Sequence, residues 1–173
     1  MDGPHHMGEP VKGRTHLDTS TAHVEVRPAA AADLLAWADM RAALWPDTSA
    51  DDHRLEIEAI VTRGHEQAIC LLALVEGAHR GFAEVSLRHD YVNGCDTTPV
   101  AFLEGIYVAP EARGRGAARA LVAAAEAWAG GRNCREFASD VSIENTASAA
   151  MHMALGFEET ERVVFFVKKL CAD

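Results

Sequence analysis

The run "VAFLEGIYVAPEARGRGAARALVAAAEAWAGG", residues 100–131, constrains this chain more than any other stretch. Residues 100–110 read as a buried strand interrupted by Gly105. An arginine–glycine loop follows, then a helix closed by Gly130 and Gly131. A strand that turns directly into a helix aims the helix N-terminus at the strand's end. That terminus presents unpaired N–H groups and a partial positive charge, which together make an anion site. Gly114 and Gly116 let the backbone approach a ligand closely, and Ala118 adds little bulk. Arg113, Arg115 and Arg119 add charge, the last two lying on one helix face. The spacing matches neither a P-loop nor a dinucleotide-binding fingerprint. The anion expected is a phosphate.

The cationic patch is local. Against 16 basic residues stand 26 acidic ones, for a formal net charge of -10. Nucleic-acid binding needs a broad basic face, so the balance argues against it and suits a cationic partner. At 173 residues the chain fits one domain. Residues 1–22 lack hydrophobic periodicity and read as a flexible tail, leaving 23–173 as the folded domain. The order expected is β-α-α-β-β-β-α-β-α-β. Strands cover 23–28, "AICLLALVEG", "RGFAEVSLRHD", 100–110, "CREFASDV" and "RVVFFVKKL"; helices cover 29–44, about 50–63, 116–131 and "NTASAAMHMALG". The fold class is α/β (α+β), a sheet flanked by helices. No apolar run is long enough to cross a membrane, and no signal-peptide h-region precedes the domain. Cys70, Cys95, Cys134 and Cys171 form no CxxC pair and no cluster with histidine. The expectation is a cytoplasmic protein with free thiols and no metal.

Three carboxylates stand out. Glu104 interrupts an apolar strand, where an unpaired buried charge is costly, so it must face solvent, a partner or a site. Asp140 ends the strand "CREFAS" at the presumed carboxyl edge of the sheet, a common position for a site. Glu161 lies in the charged run "EETER".

"GIYVAPEARGRGAARAL" resembles the acetyl-CoA motif of the GNAT (GCN5-related N-acetyltransferase) superfamily, with Arg113, Gly116 and Ala118 in the motif positions. "ENTASAAMHMALGFEET" resembles that family's second signature. More narrowly, "LWP", "RHDYVNGCD", "FLEGIYV", "REFASD" and "GFEETERV" resemble the aminoglycoside 6'-N-acetyltransferases of type I, and the likeness spans about residues 23–170. It implies the GNAT fold, a mixed central sheet with a bulged, splayed strand, for which Gly105 is the suited residue.

The resemblance also implies that acetyl-CoA is the cosubstrate. Main-chain amides from Gly114 through Arg115, Gly116, Ala117, Ala118 and Arg119 would hold its pyrophosphate. Ile106, Tyr107 and Val108 would hold the pantetheine arm, and Asn145 would bond to it. Trp45 and Tyr91 would line a pocket for an aminoglycoside, with Glu104, Asp140 and Glu161 binding its ammonium groups. The reacting amine must lose a proton, to Asp140 first or Glu104 second, directly or through water. A main-chain N–H near Tyr107 or Val108 would stabilise the oxyanion. Many relatives carry a tyrosine seven residues after the Asn as acid for the departing thiolate. Here that place is His152, which either acts as that acid or packs. Another amine acceptor, or a non-catalytic CoA-binding module, remains an alternative; three separated acidic positions favour a polycationic small molecule.

The resemblance further implies a homodimer. In "RVVFFVKKL", Val163, Phe165 and Val167 form one face and Val164 and Phe166 the other. A strand apolar on both faces cannot remain an open edge, so it should be buried in the sheet or paired across two chains, with Glu161 beside the contact.

Overall fold

A computed structural model describes residues 23–170. The expected tail, residues 1–22, lies outside the described residues.

The sheet is built on period-two alternation with both faces covered. In β2 (Ala68–Val75), Ile69, Leu71, Ala73 and Val75 point to one core, while Cys70 and Leu72 point to another. Helix α3 (Ala117–Gly130) closes the first core with Leu121, Ala125 and Trp128. Helices α1 (Leu34–Leu44) and α2 (Ala50–Arg63) close the second with Trp37, Met40 and Ile57. This is why β2 reads as a continuous apolar run rather than an alternating one. Strand β1 (Val24–Pro28) pairs antiparallel with β2 at one edge. β3 (Ala78–Arg88) follows β2 through the two-residue turn Glu76–Gly77, where both residues have positive φ, 50° and 77°. That conformation matches the twist of a tight hairpin.

β4 (Val100–Val108) pairs antiparallel with β3 and parallel with the short β5 (Phe137–Ser139). The sheet is therefore mixed, in the order β1-β2-β3-β4-β5. Two irregularities in β4 make the site. First, Glu84 pairs with Gly105 and Val85 with Leu103, so Glu104 is the extra, unpaired residue of a β-bulge. The bulge sits one residue before the glycine that signalled it. Second, β5 pairs only with Ala101 to Leu103 and then departs. β4 runs on with only β3 beside it, and its burial changes there: Val100 to Leu103 are buried, Glu104 is exposed and Gly105 to Val108 are half-buried. The splay expected of the fold lies between Leu103 and Ser139.

Helix α4 (Thr146–Ala154) follows the loop after β5. Asn145 is its N-cap, its side chain accepting from the Ser148 N–H at 3.0 Å, and Gly156 beyond its end has φ 99°.

The expected last strand is not formed. Residues 157–170 carry no regular structure, and Phe165, Phe166 and Val167 are 86%, 94% and 92% exposed. The physical reason is a missing ladder: a strand exists through its pairing, and among the described residues this segment pairs with no strand, leaving β5 as the edge of the sheet.

Candidate active site

The loop after β4 forms an open cradle. A 3-10 turn, Pro110–Ala112, leads into it, and the Arg113 Nε donates to the Val108 carbonyl at 3.0 Å. Arg113 thus ties the loop to the strand end. Gly114 and Gly116 have φ of 72° and 86°, and a Cβ at either would meet nothing within 4 Å. The glycines answer to backbone conformation and leave their outer side clear. Gly116 caps α3, and the first intrahelical donor is Ala120, to the Gly116 carbonyl. The N–H groups of Ala117, Ala118 and Arg119 are left for a ligand. The Ala117 side chain is buried in the core, whereas Arg115 and Arg119 are exposed. A pyrophosphate fits this donor set: helix-start amides, a clear approach and two exposed guanidinium groups.

The bulge side is carboxylate-rich. Arg41, Trp45, Thr48, Glu56, Glu84 and Glu104 are among the residues lining an open cleft of about 340 Å³. Trp45 lies directly against the sheet, where a Cβ at Gly105 would come within 2.5 Å of both Cζ2 and Cη2 of the indole. Gly105 is needed for this close approach. The Trp45 ring tilts against Phe82 at 6.0 Å between centroids, and Phe82 meets the ring of Tyr107 at 6.3 Å. One aromatic row joins the cleft wall to the strand proposed to hold the cosubstrate.

The bulged Glu104 is held from two sides. Ser86 Oγ donates to one carboxylate oxygen, and Arg88 Nη2 donates to the other at 2.9 Å. Arg88 itself lies over Phe102. Beneath Trp45, buried Arg41 stacks on the indole, 4.6 Å from its centroid, and pairs with both Glu84 and Glu56. The Trp37 indole donates to Glu84 at 2.6 Å. Burial pushes the Glu84 carboxyl up, opposed by the Arg41 guanidinium and the Trp37 N–H.

Asp140 follows the last residue of β5 and is exposed. Ser139 lies at the apex of the splay, opposite Leu103, and its hydroxyl donates to the Leu103 carbonyl at 3.2 Å. His152 reaches the same point from α4. Its Nδ1–H donates to the Ser148 carbonyl at 2.8 Å, its Nε2 lies 3.0 Å from Ser139 Oγ, and its ring meets Phe157 edge-on. Tyr91 is 76% exposed in the loop before β4. Thr160 packs directly on Gly94 of that loop, which brings the segment carrying Glu161 over it.

The fold thus gathers Trp45 and Glu104 at one cleft, with Asp140 and His152 around the splay of the same strand. Tyr91 and Glu161 stand on the exposed loops beside it. Sequence reasoning missed Glu84, Arg41 and Ser139. Glu84 carried a readable signal, a charge inside "GFAEVSL", the same argument that singled out Glu104. Ser139 carried none. A larger cleft of about 520 Å³, lined by Thr97, Thr98, Pro99, Asn133, Cys134 and Arg135, lies toward the opposite end of β4 and contains none of these groups. Among the described residues, no three His, Cys, Asp or Glu side chains converge as metal ligands would.

Comparison with known proteins adds to this geometry. The profile of the "Acetyltransferase (GNAT) family" matches residues 34–157. The aminoglycoside N(6')-acetyltransferase type 1 of Serratia marcescens is 51% identical over 138 residues, covering 80% of this chain and 94% of the relative. Its namesake from Salmonella typhimurium is 50% identical over 133 residues, covering 77% and 90%. Among solved structures, AAC(6')-Iy in complex with the bisubstrate analogue CoA-S-monomethyl-acetylneamine superposes with a TM-score of 0.81 at 46% identity, covering 86% of this chain and all (100%) of that one. AAC(6')-Ih from Acinetobacter baumannii gives 0.80 at 44%, covering 86% and 99%.

Proposed function

The chain belongs to the GNAT acetyltransferase family, and from that premise we propose that it transfers the acetyl group of acetyl-CoA to the 6'-amino group of aminoglycoside antibiotics, a resistance activity. The observation that carries the reading is the build of β4. One end opens into a phosphate cradle, and the middle presents a bulged carboxylate, Glu104, beside the Trp45 wall of an acidic cleft. The identity to named aminoglycoside N(6')-acetyltransferases supports the same acceptor.

Bound acetyl-CoA supplies an activated acyl group. Its pyrophosphate is held by the amides of residues 114–119 with Arg115 and Arg119, and its arm by the main chain of Ile106, Tyr107 and Val108. Arg113 acts by fixing the cradle to the strand. Asn145, whose Oδ1 caps α4, keeps its side-chain N–H groups for that arm. Trp45 and Tyr91 give flat faces to sugar rings, and Glu104, Asp140 and Glu161 bind ammonium groups. Asp140 takes the amine proton, directly or through water. Glu104, engaged by Ser86 and Arg88, is suited to binding rather than to moving a proton. A main-chain N–H near Tyr107 or Val108 stabilises the oxyanion, and His152 serves the departing thiolate. The work is done in the cytoplasm, where acetyl-CoA is available, by residues 23–173 as one domain.

The active species is a homodimer. The segment 162–170 of one chain pairs with its counterpart or with the partner's sheet, covering the apolar side chains left exposed on a single chain. Glu161, immediately before that segment, is thereby positioned at the pocket.

Thiol release across an acceptor panel tests the activity. Aminoglycosides with a 6'-amino group should release CoA thiol, and 6'-hydroxyl analogues should not. Equal release with both, or release with polyamines alone, overturns the assignment.

A further inference from the structure

We infer that Ser139 is a catalytic residue of this transferase, giving its proton to the departing sulfur, with His152 as the positioning and resupplying group behind it. The inference rests on the acetyl-CoA reading above and assigns the acid that reading leaves to His152 alone.

The hydrogen-bond bookkeeping at the apex points to it. The Ser148 carbonyl can only accept, so His152 Nδ1 carries a proton there. Ser139 has one proton and two neighbours, the Leu103 carbonyl and His152 Nε2. Two arrangements follow. With a neutral His152, Nε2 is a lone pair, and the Ser139 hydroxyl must choose between it and the Leu103 carbonyl. With a charged His152, every group is satisfied: Nδ1–H to Ser148, Nε2–H to Ser139 Oγ, and the Ser139 O–H to Leu103. In that second arrangement the apex is an imidazolium–hydroxyl chain, and its outermost mobile proton sits on Ser139, not on the histidine.

Placement makes Ser139 the group that meets sulfur. β5 ends at Ser139, opposite Leu103, and beyond that point the edge of β4 away from β3 is free. From there β4 runs on through Val108, five residues or about 17 Å at ~3.3 Å per residue, to the cradle. An arm anchored by phosphates at the cradle and lying along the free edge of Ile106 to Val108 brings its thioester to the apex. His152 has both ring nitrogens taken and its ring flanked by Phe157, so it reaches that point only through the hydroxyl.

The step balances. As the carbon–sulfur bond breaks, its electron pair leaves on sulfur. Ser139 gives up its hydroxyl proton to form the S–H bond, and the His152 Nε2–H proton passes to the Ser139 oxygen. His152 is left neutral with its Nδ1–H still on Ser148, and water returns the proton.

The test uses the full chain. Ser139→Ala should lower kcat about 10²-fold, the usual size of a general-acid effect, with KM for acetyl-CoA within about twofold. Ser139→Thr, which keeps the hydroxyl, should recover most of the loss. His152→Ala should match Ser139→Ala, and the double variant should fall no further. Independently of turnover, nitrogen NMR of labelled histidine should show the His152 Nε2 resonance responding to added CoA thiol in the wild type but not in Ser139→Ala. If wild-type enzyme acetylates aminoglycosides and Ser139→Ala keeps kcat within about twofold, or if the His152 response survives the loss of the hydroxyl, the relay is wrong and the function stands. If no amine is acetylated, the acetyltransferase reading fails, and the CoA-dependent NMR response still decides the relay.

Discussion

Gly105 offers a sharp perturbation, because one methyl group strikes both Trp45, the proposed acceptor wall, and the bulge. In Gly105→Ala the new Cβ would lie 2.5 Å from Trp45 Cζ2 and Cη2 and 3.3 Å from Leu44 Cδ2. Carbon atoms prefer roughly 3.5–4.0 Å, so the indole must retreat by about 1 Å. It cannot do so freely, since Arg41 stacks on it and Phe82 flanks it. Overpacking of this kind costs about 1–3 kcal/mol, which for a chain of this size lowers Tm by about 2–12 °C. Displacing the wall should also raise KM for the aminoglycoside about tenfold, equivalent to ~1.4 kcal/mol, while leaving acetyl-CoA binding within about twofold. Calorimetry and steady-state kinetics with each substrate varied separately give both numbers. Trp45→Phe removes the offending ring edge, so the double variant should regain stability relative to Gly105→Ala, with a coupling of about 0.5–3 kcal/mol. Additive effects, or an unchanged Tm in Gly105→Ala, would refute the claim that this glycine exists to admit Trp45.

Glu84→Gln leaves the buried Arg41 short of a charge partner and should cost about 3–5 kcal/mol in urea unfolding; a loss below about 1 kcal/mol would mean that Glu56 alone suffices for Arg41. The Arg27 fork, the Ala30 N–H and His79 hold the Asp33 carboxyl well below the usual carboxylate range. A folded-state pKa below the unfolded value of about 3.9 contributes stability above that pH and loses it as pH falls toward the folded value. The urea midpoints of wild type and Asp33→Asn should therefore differ at pH ~7 and converge as the pH drops below ~4; a gap that stays constant contradicts the assignment. Placing glutamate at both Phe165 and Phe166 should yield monomers of 18.6 kDa by sedimentation where the wild type runs as twice that mass; a monomeric wild type with full activity removes the dimer.

Local chemistry determined a good part of this protein before any fold existed. The loop of the proposed cradle was legible because a strand, two glycines at positive φ and a helix start are consecutive in sequence, and the anion site we propose there would be made from their own backbone. Asn145 as the start of α4, and Glu104 as a misplaced charge in β4, were legible for the same reason. The tertiary structure decided what depends on distant neighbours. The bulge falls on Glu104 rather than Gly105 because pairing with β3, not the glycine, sets the register. Arg41 and Glu84, 43 residues apart, meet only when α1 is laid across the sheet. Ser139 is an ordinary strand residue until β5 stops beside Leu103 and α4 brings His152 within 3.0 Å of its hydroxyl. The last segment, a strand by its pattern, has no ladder partner among the described residues, and a pattern of side chains cannot supply one.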